Sequence, residues 1–276
     1  MGENGVIYMN SRDLQSLIST CSFENSSNTG AGWSIYIEKG ESVLRKICSI
    51  GSESSSFGPF SFLQVTDSNR INIVSQSSIC YSNRGIKKGQ ATIGLNSGKI
   101  EFDHNNLTNN YADYYSALWM GGASLSAANI DFSSFDKNDG NSMLCDTSIP
   151  AKFKNSLITN NKIIEPFVYS GMIIVELKNE MTFDNCHISS NDQGYDSLFG
   201  TSSQFDSIVI ANSYILNTST LYSGEGRFSY KNTTINLVLS LDPAKLCSYE
   251  VVIINPGSMK SFKSKMFFSM TETFLN

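Results

Sequence analysis

The sequence predicts an all-β protein, a right-handed parallel β-helix of about nine coils with a period of about 27 residues. Two observations lead to this prediction. A template of apolar, small polar and asparagine positions, clearest at residues 183–191, recurs along the chain at fixed offsets. The composition is also suitable, with 40% hydrophobic but only 16% charged residues. The remaining polarity comes largely from Ser, Asn and Thr, which favour turns and strands over helix interiors.

The template aligns in three columns along the chain. Its reference position is apolar and recurs every 20 to 30 residues, at Phe23, Ile50, Ile79, Leu107, Phe135, Ile158, Ile188, Ile215 and Ile235. Two residues earlier stand Cys21, Cys48, Ser77, Asn105, Ser133, Ser156, Cys186, Ser213 and Thr233. Five residues earlier stand Ile18, Arg45, Val74, Phe102, Ile130, Phe153, Phe183, Ile210 and Tyr230. Arg45 alone breaks this last column, and Val43 or Leu44 would replace it after a small shift in register.

A fourth column, of asparagines, and the absence of other repeat patterns together indicate the type of solenoid. Asparagine stands three residues after the reference position in the middle coils, at Asn110, Asn138, Asn161 and Asn191. Helical repeats would need a 3.6-residue periodicity, which is absent, and no leucine-rich repeat pattern is present. Coils of a parallel β-helix stack about 4.8 Å apart, so equivalent residues form ladders. We therefore expect apolar stacks inside the coil and an asparagine ladder at a turn.

The columns also suggest where the solenoid begins and ends. We expect an N-terminal strand or cap over residues 1–17, the β-helix over 18–240, and an irregular last coil with a C-terminal cap over 241–276. The sequence shows no signal peptide and no apolar run of the roughly 20 residues that cross a membrane. We expect either a complete protein or a piece that continues into further β-helix or a membrane anchor.

Charge and cysteine usage exclude several classes of function. The net charge of −5 argues against a positively charged surface of the kind that binds nucleic acid or an anionic membrane. The six cysteines occur singly without a C-x-x-C pair, which argues against zinc and thioredoxin-type sites. Cys21 and Cys48 share a column on adjacent coils, so either a disulfide or two packed thiols fits. No cofactor or metal is predicted.

Short motifs connect the chain to a known family. Residues 23–26, 102–105 and 135–138 follow an F-x-x-N pattern, the first with Ser for Asn. Residues 121–124 follow a G-G-A-x pattern, which residues 30–32, Gly-Ala-Gly, resemble. With these motifs the chain resembles polymorphic outer-membrane proteins and related β-helix surface proteins of parasitic protists. The resemblance implies a pectate-lyase-like fold displayed at a cell surface or outside the cell. It also implies a role in adhesion or antigenic display, with a host or cell-surface protein or glycan as partner.

One outward column carries charges that suit catalysis. Asp103, Asp131, Lys154 and Asp184 follow the first apolar column on successive coils. Stacked carboxylates can bind calcium or act as an acid/base pair, and a lysine between them can lower their pKa values. A solvated face with an ion pair explains the same residues and is the favoured interpretation. The two histidines, His104 and His187, are read as surface or turn residues.

Two further features concern binding and modification. Residues 111–119 form the densest aromatic cluster, whose tyrosines either bind a sugar or protein partner or fill the core of one bulging coil. Sequons begin at Asn25, Asn106, Asn217 and Asn232 and permit glycosylation in a secreted protein.

The sequence therefore favours a non-catalytic surface or secreted β-helix protein for adhesion, interaction or antigenic display. The alternative is a polysaccharide lyase or glycoside hydrolase that uses the outward Asp/Lys column.

Overall fold

The computed structural model describes residues 6–28, 34–86, 88–122, 125–141, 143–164, 171–194, 197–216 and 220–231. These residues form 29 β-strands, numbered in chain order, and within these ranges no helix occurs. All strand pairings between them are parallel, so the predicted all-β parallel β-helix is confirmed. The period is near 27 residues, as predicted, but the solenoid makes about seven turns rather than nine. The ninth template position, Ile235, lies outside the described residues.

One face of the solenoid is a nine-stranded sheet. Its strands, in spatial order, are β1 (Ile7–Asn10), β4 (Ile35–Lys39), β7 (Phe57–Val65), β10 (Ala91–Asn96), β14 (Tyr115–Gly121), β18 (Met143–Thr147), β22 (Ile173–Val175), β25 (Phe199–Thr201) and β28 (Tyr222–Gly224). Because β1 pairs in parallel with β4, residues 7–10 are its first strand. The predicted C-terminal cap, residues 241–276, lies outside the described residues.

The other two faces belong to one 15-stranded sheet that bends at a turn. One arm contains β8 (Ile71–Ser75), β11 (Lys99–Asp103), β15 (Ala127–Asp131), β19 (Ala151–Lys154), β23 (Glu180–Asp184), β26 (Ser207–Ala211) and β29 (Arg227–Lys231). The other contains β9 (Ser78–Cys80), β12 (Asn106–Thr108), β16 (Ser134–Asp136), β20 (Leu157–Thr159), β24 (His187–Ser189) and β27 (Tyr214–Leu216). The long strands β2 (Gln15–Glu24) and β5 (Glu41–Ile50) span both arms.

Two small sheets complete the coil. They are formed by β13 (Tyr111–Ala112), β17 (Asp139–Gly140) and β21 (Lys162–Ile163), and by β3 (Ser27–Asn28) and β6 (Glu53–Ser54).

The core is a single continuous stack between these faces. Phenylalanines from both arms and the nine-stranded sheet form its spine, because inward positions repeat at the strand spacing. Phe102 stacks on Phe135 at 6.0 Å between ring centroids, and Phe153 stacks on Phe183 at 4.9 Å. Phe183 also contacts Phe199 at 5.2 Å. All five are at most 1% exposed, and most members of the predicted apolar columns lie in the interior. Tyr230, at the end of the described stack, is an exception at 37% exposure.

The second coil corrects the predicted columns by one residue. Leu44, Ile47 and Ser49 occupy the columns in place of Arg45, Cys48 and Ile50. A shift of one residue exchanges the two faces of a strand. It turns Arg45 to solvent and leaves Ile50 36% exposed, while Ser49 is buried. Burying the hydroxyl of Ser49 is tolerable because it hydrogen-bonds the Ser52 hydroxyl at 2.9 Å, whereas burying an unpaired guanidinium is far more costly.

Two of the bends of each coil carry a residue in the left-handed conformation at a regular position. The first bend carries Thr20, Lys46, Gln76, His104, Phe132, Asn155, Asn185 and Asn212, all with φ between 43° and 57°. The inward polar residue that follows closes the bend by accepting a backbone N–H from the preceding coil. The Ser77 amide donates to Asn105 Oδ1 at 3.0 Å, and the Asn105 amide donates to Ser133 Oγ at 3.2 Å. These side chains satisfy backbone groups that the strand ladder leaves unpaired at the bend.

The second bend contains the predicted asparagine ladder. Asn110, Asn138, Asn161 and Asn191 are at most 5% exposed and lie on consecutive coils. The Asn138 side chain accepts the Asn110 amide at 3.1 Å and donates through Nδ2 to the Leu107 carbonyl at 2.9 Å. It also donates to Asn161 Oδ1 at 3.0 Å. The F-x-x-N motifs thus encode an inward Phe, an outward residue, a left-handed residue and an inward amide.

Asn138→Ala is expected to lower the free energy of unfolding by about 2–5 kcal/mol. The truncation leaves the Leu107 carbonyl and the Asn110 amide buried without their partner, and each such group costs about 1–3 kcal/mol. Chemical denaturation measures the change. Asn129→Ala, the same truncation on the exposed face of β15, is the control and should stay within about 0.5 kcal/mol of the parent. Equal losses in both variants would contradict a structural role for the ladder.

Candidate functional site

The outward Asp/Lys column forms as the sequence predicts. Strand pairing places Asp103 beside Asp131, Asp131 beside Lys154, and Lys154 beside Asp184 on four consecutive coils. Adjacent members are therefore separated by about one strand spacing, near 4.8 Å. In the described part of the chain, no ion pair joins Lys154 to either neighbouring aspartate. The column contains the residues that sequence reasoning brought together, so its chemistry depends on their other contacts.

The carboxylates of this column hydrogen-bond to the first bend. Asp131 Oδ1 accepts from Asn155 Nδ2 at 2.8 Å and from the Phe132 amide at 3.0 Å. Asp184 Oδ1 accepts from Asn212 Nδ2 at 2.9 Å. In both cases the donor side chain is the left-handed residue of the next coil. These contacts give the aspartates a structural role at the bend. The ion pair that the favoured interpretation expected does not form among the described residues of this column.

Both histidines stack on aromatic rings at the surface. His104 lies over Phe132 with 4.8 Å between ring centroids, and its Nδ1 is 2.7 Å from Asp103 Oδ1. His187 lies over Tyr214 at 4.9 Å, and its Nε2 is 2.9 Å from the Ser189 hydroxyl. Burial lowers the pKa of His187. Over the described ranges, no three His, Cys, Asp or Glu side chains come together as metal ligands.

The register of the second coil decides whether Cys21 and Cys48 are neighbours. Cys21 pairs with Ile47, and Cys48 pairs with Ser22, so the two cysteines occupy different columns. The Cys21 thiol is free and only 6% exposed, with Sγ 3.3 Å from the Ser19 carbonyl. Burial raises its pKa, so the neutral thiol is favoured. The disulfide between these two residues does not form.

The aromatic cluster at residues 111–119 divides between interior and surface. Tyr111 is 6% exposed and donates its hydroxyl to Asn141 Oδ1 at 3.0 Å, so it fills a bulging coil. Tyr114 is 41% exposed. Trp119 lies half-buried on the outer face of the nine-stranded sheet. The core interpretation therefore holds for Tyr111, whereas Tyr114 and Trp119 remain accessible and their role in binding stays a prediction.

Trp119 belongs to a larger feature that the sequence did not reveal, here named the aromatic column. Strand pairing aligns Tyr8, Tyr36, Phe62, Gly94 and Trp119 along the outer face of the nine-stranded sheet. Ring centroids lie 5.4 Å apart for Tyr8 and Tyr36, and 5.7 Å apart for Tyr36 and Phe62. Tyr8 is 42% exposed and the other rings are half-buried. The four rings form an aromatic surface about four strand spacings long.

Gly94 has no side chain, so the rings on the two neighbouring coils can approach each other over it. The rings of Phe62 and Trp119, on either side of it, approach to 6.3 Å and lie nearly parallel. A Cβ atom at position 94 would lie 2.6 Å from Phe62 Cδ2, which is closer than such atoms come in real structures. The two rings therefore cover the glycine backbone, as aromatic residues do over glycines in other sheets.

A second column runs beside the aromatic column on the same face. Asn10, Glu38, Gln64 and Asn96 align through the same strand pairs, two residues after the rings, and are here named the amide column. Asn10 Nδ2 donates to Glu38 Oε2 at 2.7 Å and to the Tyr8 hydroxyl at 3.0 Å. Aromatic faces and edges beside amide and carboxylate groups suit a ligand with both apolar C–H and hydroxyl groups.

The aromatic column ends at a buried carboxyl group. Asp146 pairs with Trp119 on the next coil and is 2% exposed, with Oδ1 lacking a hydrogen-bond partner. Burial, reinforced by the charge of Glu176, raises the pKa of Asp146 well above its usual range. Hydrogen bonds from Thr147, Tyr115 and Trp119 oppose this rise without cancelling it. Asp146 is therefore a neutral acid over part of the pH range in which ordinary aspartates are charged.

Comparison with protein-family models, curated proteins and solved structures finds no match to this chain. The fold and these surfaces define a parallel β-helix with an aromatic outer face, and they define no particular family. No helix in the described ranges is long and apolar enough to cross a membrane.

Asp146 should make stability depend on pH. Its pKa is raised in the folded state, so the folded protein binds a proton that the unfolded chain releases near pH 4. The contribution of Asp146 to stability is therefore greatest below about pH 4 and is lost as the pH rises toward the raised pKa, by up to about 1.4 kcal/mol per pH unit. We expect the free energy of unfolding, measured by chemical denaturation between pH 4 and 8, to fall less steeply with pH in Asp146→Asn than in the parent protein. Some slope remains because burial and Asp206 raise the pKa of Glu176 in the same sense.

Asp103→Asn provides the matched control for this measurement, because the same change is made on a carboxyl that is 45% exposed. The control should keep the slope of the parent protein, since Asp146 is intact. If the free energy of unfolding of Asp146→Asn depends on pH as strongly as that of the parent protein, Asp146 is not the source of the pH dependence.

Proposed function

We propose that the chain is a non-catalytic surface or secreted β-helix protein that binds a cell-surface glycan or protein for adhesion or display. The observation that carries this proposal is the aromatic column, Tyr8, Tyr36, Phe62 and Trp119, aligned beside the amide column on one rigid sheet. Aromatic rings supply large contact areas at low entropic cost and are enriched at binding sites.

The rigidity of the platform supports a binding role. The rings are mounted on strands whose opposite faces are fully buried, as shown by Ile37, Leu63 and Leu95 at 0% exposure. A ligand would therefore meet a preformed surface and would not have to order a mobile segment. Preorganisation of this kind reduces the entropic cost of association.

The resemblance to β-helix surface proteins supports the same proposal. Its F-x-x-N residues lie at the two bends, where Phe102 and Asn105 close the first bend and Phe135 and Asn138 close the second. The motifs thus maintain the scaffold, and the outward residues between coils are left to vary. A scaffold of this type suits display, because surface residues can change while the ladders persist.

A carbohydrate-active enzyme remains the alternative. It is favoured by one observation, the direct pairing of Asp103 with Asp131 and of Lys154 with Asp184 on a single outward face. One strand spacing, about 4.8 Å, is close to the separation of about 5–5.5 Å between the two carboxyl groups of retaining glycosidases. Asp131 already accepts hydrogen bonds from the Asn155 side chain and the Phe132 amide, which weighs against a role as a free nucleophile or base.

Removal of one aromatic ring should weaken ligand binding. Purified protein, expressed in bacteria, is tested on a glycan array and on cultured cells, and Tyr36→Ala and Phe62→Ala are compared with the parent. Each variant should bind about tenfold or more weakly, since truncation at the centre of a binding surface costs more than about 1.4 kcal/mol. Tyr214→Ala is the matched control, because this 42% exposed ring lies on the 15-stranded sheet. Equal binding by all three variants would contradict the assignment of the surface.

The enzyme alternative is tested on the same preparation. Incubation with pectin- and glycan-type polymers is monitored for new reducing ends or unsaturated products. We expect no turnover from the parent protein. Turnover that Asp131→Ala abolishes, while circular dichroism shows the fold intact, would replace the binding proposal with the catalytic one.

A further inference from the structure

Two N-glycosylation sequons fall within the described residues, and the repeat places them in opposite surroundings. Asn25-Ser26-Ser27 lies at the second bend of the first coil, between β2 and β3, whereas Asn106-Leu107-Thr108 forms β12. The sequons at Asn217 and Asn232 lie outside the described residues. Since the repeat supplies equivalent residues on other coils, each site can be judged by what its column accommodates.

Asn25 occupies a column that is open to solvent. It is exposed and has φ of 51°, and its equivalents at the second bend include Gly51, Tyr81 and Lys137, with φ of 68°, 58° and 54°. Tyr81 is 53% exposed and the Lys137 side chain is 60% exposed, so this column directs large groups outward. Ser27, whose hydroxyl completes the sequon, is also exposed.

The neighbouring coil leaves additional room beside Asn25. Its equivalent on the second coil is Gly51, which has no side chain, and a Cβ atom there would lie 2.6 Å from Asn25 Oδ1. The Asn25 side chain therefore extends over the glycine and meets no larger group at that position. A substituent on the Asn25 amide nitrogen can project from the corner of the coil without displacing a neighbouring side chain of this column.

Asn106 lies in a closed part of its column. It is 8% exposed between Ser78 and Ser134, which are 4% and 5% exposed on the adjacent coils. Its Oδ1 accepts the hydroxyl of Thr108, the third sequon residue, at 2.8 Å. Later coils of the same column carry larger groups, ending in Tyr214 at 42% exposure, but the coils on either side of Asn106 leave its side chain only 8% exposed. A glycan on this buried, hydrogen-bonded amide is therefore incompatible with the folded coil.

We propose that Asn25 is an N-glycosylation site and that Asn106 is not, an inference that rests on the proposed secreted or surface location. Transfer forms a bond between Asn25 Nδ2 and C1 of the first sugar of a polyprenyl-pyrophosphate-linked oligosaccharide. The bond between C1 and the phosphate oxygen breaks, the lipid pyrophosphate leaves with the electron pair, and the amide nitrogen loses one proton. The glycan would then extend from the corner of the first coil.

Expression of the full chain behind a cleavable secretory leader in cultured eukaryotic cells tests this proposal. Enzymatic release of glycans in ¹⁸O-water converts each occupied Asn to labelled Asp, which peptide mass spectrometry locates. We expect label at Asn25 and none at Asn106. Asn25→Gln and Ser27→Ala should each lose one glycan by gel mobility, and Asn106→Gln should lose none. Ser27→Ala keeps the left-handed Asn25, so it guards against misfolding of the first variant.

An unlabelled Asn25 in the secreted protein, or a labelled Asn106, would overturn the inference. The result is separable from the binding proposal, because binding is measured on bacterial protein that carries no glycan. Loss of binding in that assay leaves the Asn25 result standing. Conversely, binding through the aromatic column with Asn25 unmodified refutes only the glycosylation site.

Discussion

The structure depends on satisfying the backbone at two bends per coil. Each bend requires a left-handed residue, which costs roughly 1–2 kcal/mol for most side chains, and it interrupts the strand ladder. The inward polar residue that follows recovers the lost hydrogen bonds across coils, as Asn138 does for Asn110 and Leu107. Since the same bond is repeated on successive coils, the ladder fixes both the coil spacing and the register. The apolar stacks then fill a space whose shape the bends have already set.

This constraint separates residues that maintain the fold from residues available for binding. Inward positions at Phe102, Phe153 and Phe183 are fully committed to the core, and the aspartates beside them largely support the bends. The nine-stranded sheet differs, because its outward residues are remote from both bends. On its outer face large rings, Tyr36 and Phe62 among them, align over several coils without serving a turn. A binding surface on this sheet can therefore change without loss of the ladders.

The sequence predicted the bends better than it predicted the surface. Around each bend the template positions are separated by short, constant numbers of residues. This spacing predicted the fold, the asparagine ladder and the pairing of Asp103 with Asp131. One register was wrong, because Cys48 and Ile50 also follow the template; Arg45, which breaks it, pointed to the shift to Leu44 that the structure shows. The aromatic column escaped detection because loops of different length separate its members from the template. A shift in register between Ala91 and Ile93 adds a further offset, so no fixed spacing connects Phe62 to Trp119.

The uniformity of a column also limits what chemistry it can perform. Acid–base catalysis needs two carboxyl groups whose surroundings separate their pKa values. Asp131 and Asp184 have nearly the same surroundings, each bound by the amide side chain of the next coil, so the repeat gives them equivalent roles. Asp146 shows what a break in the repeat does: it stands where the aromatic column ends, and burial together with the charge of Glu176 raises its pKa. In a solenoid of this kind, specialised chemistry is therefore to be sought where a column changes character, as it does between Trp119 and Asp146.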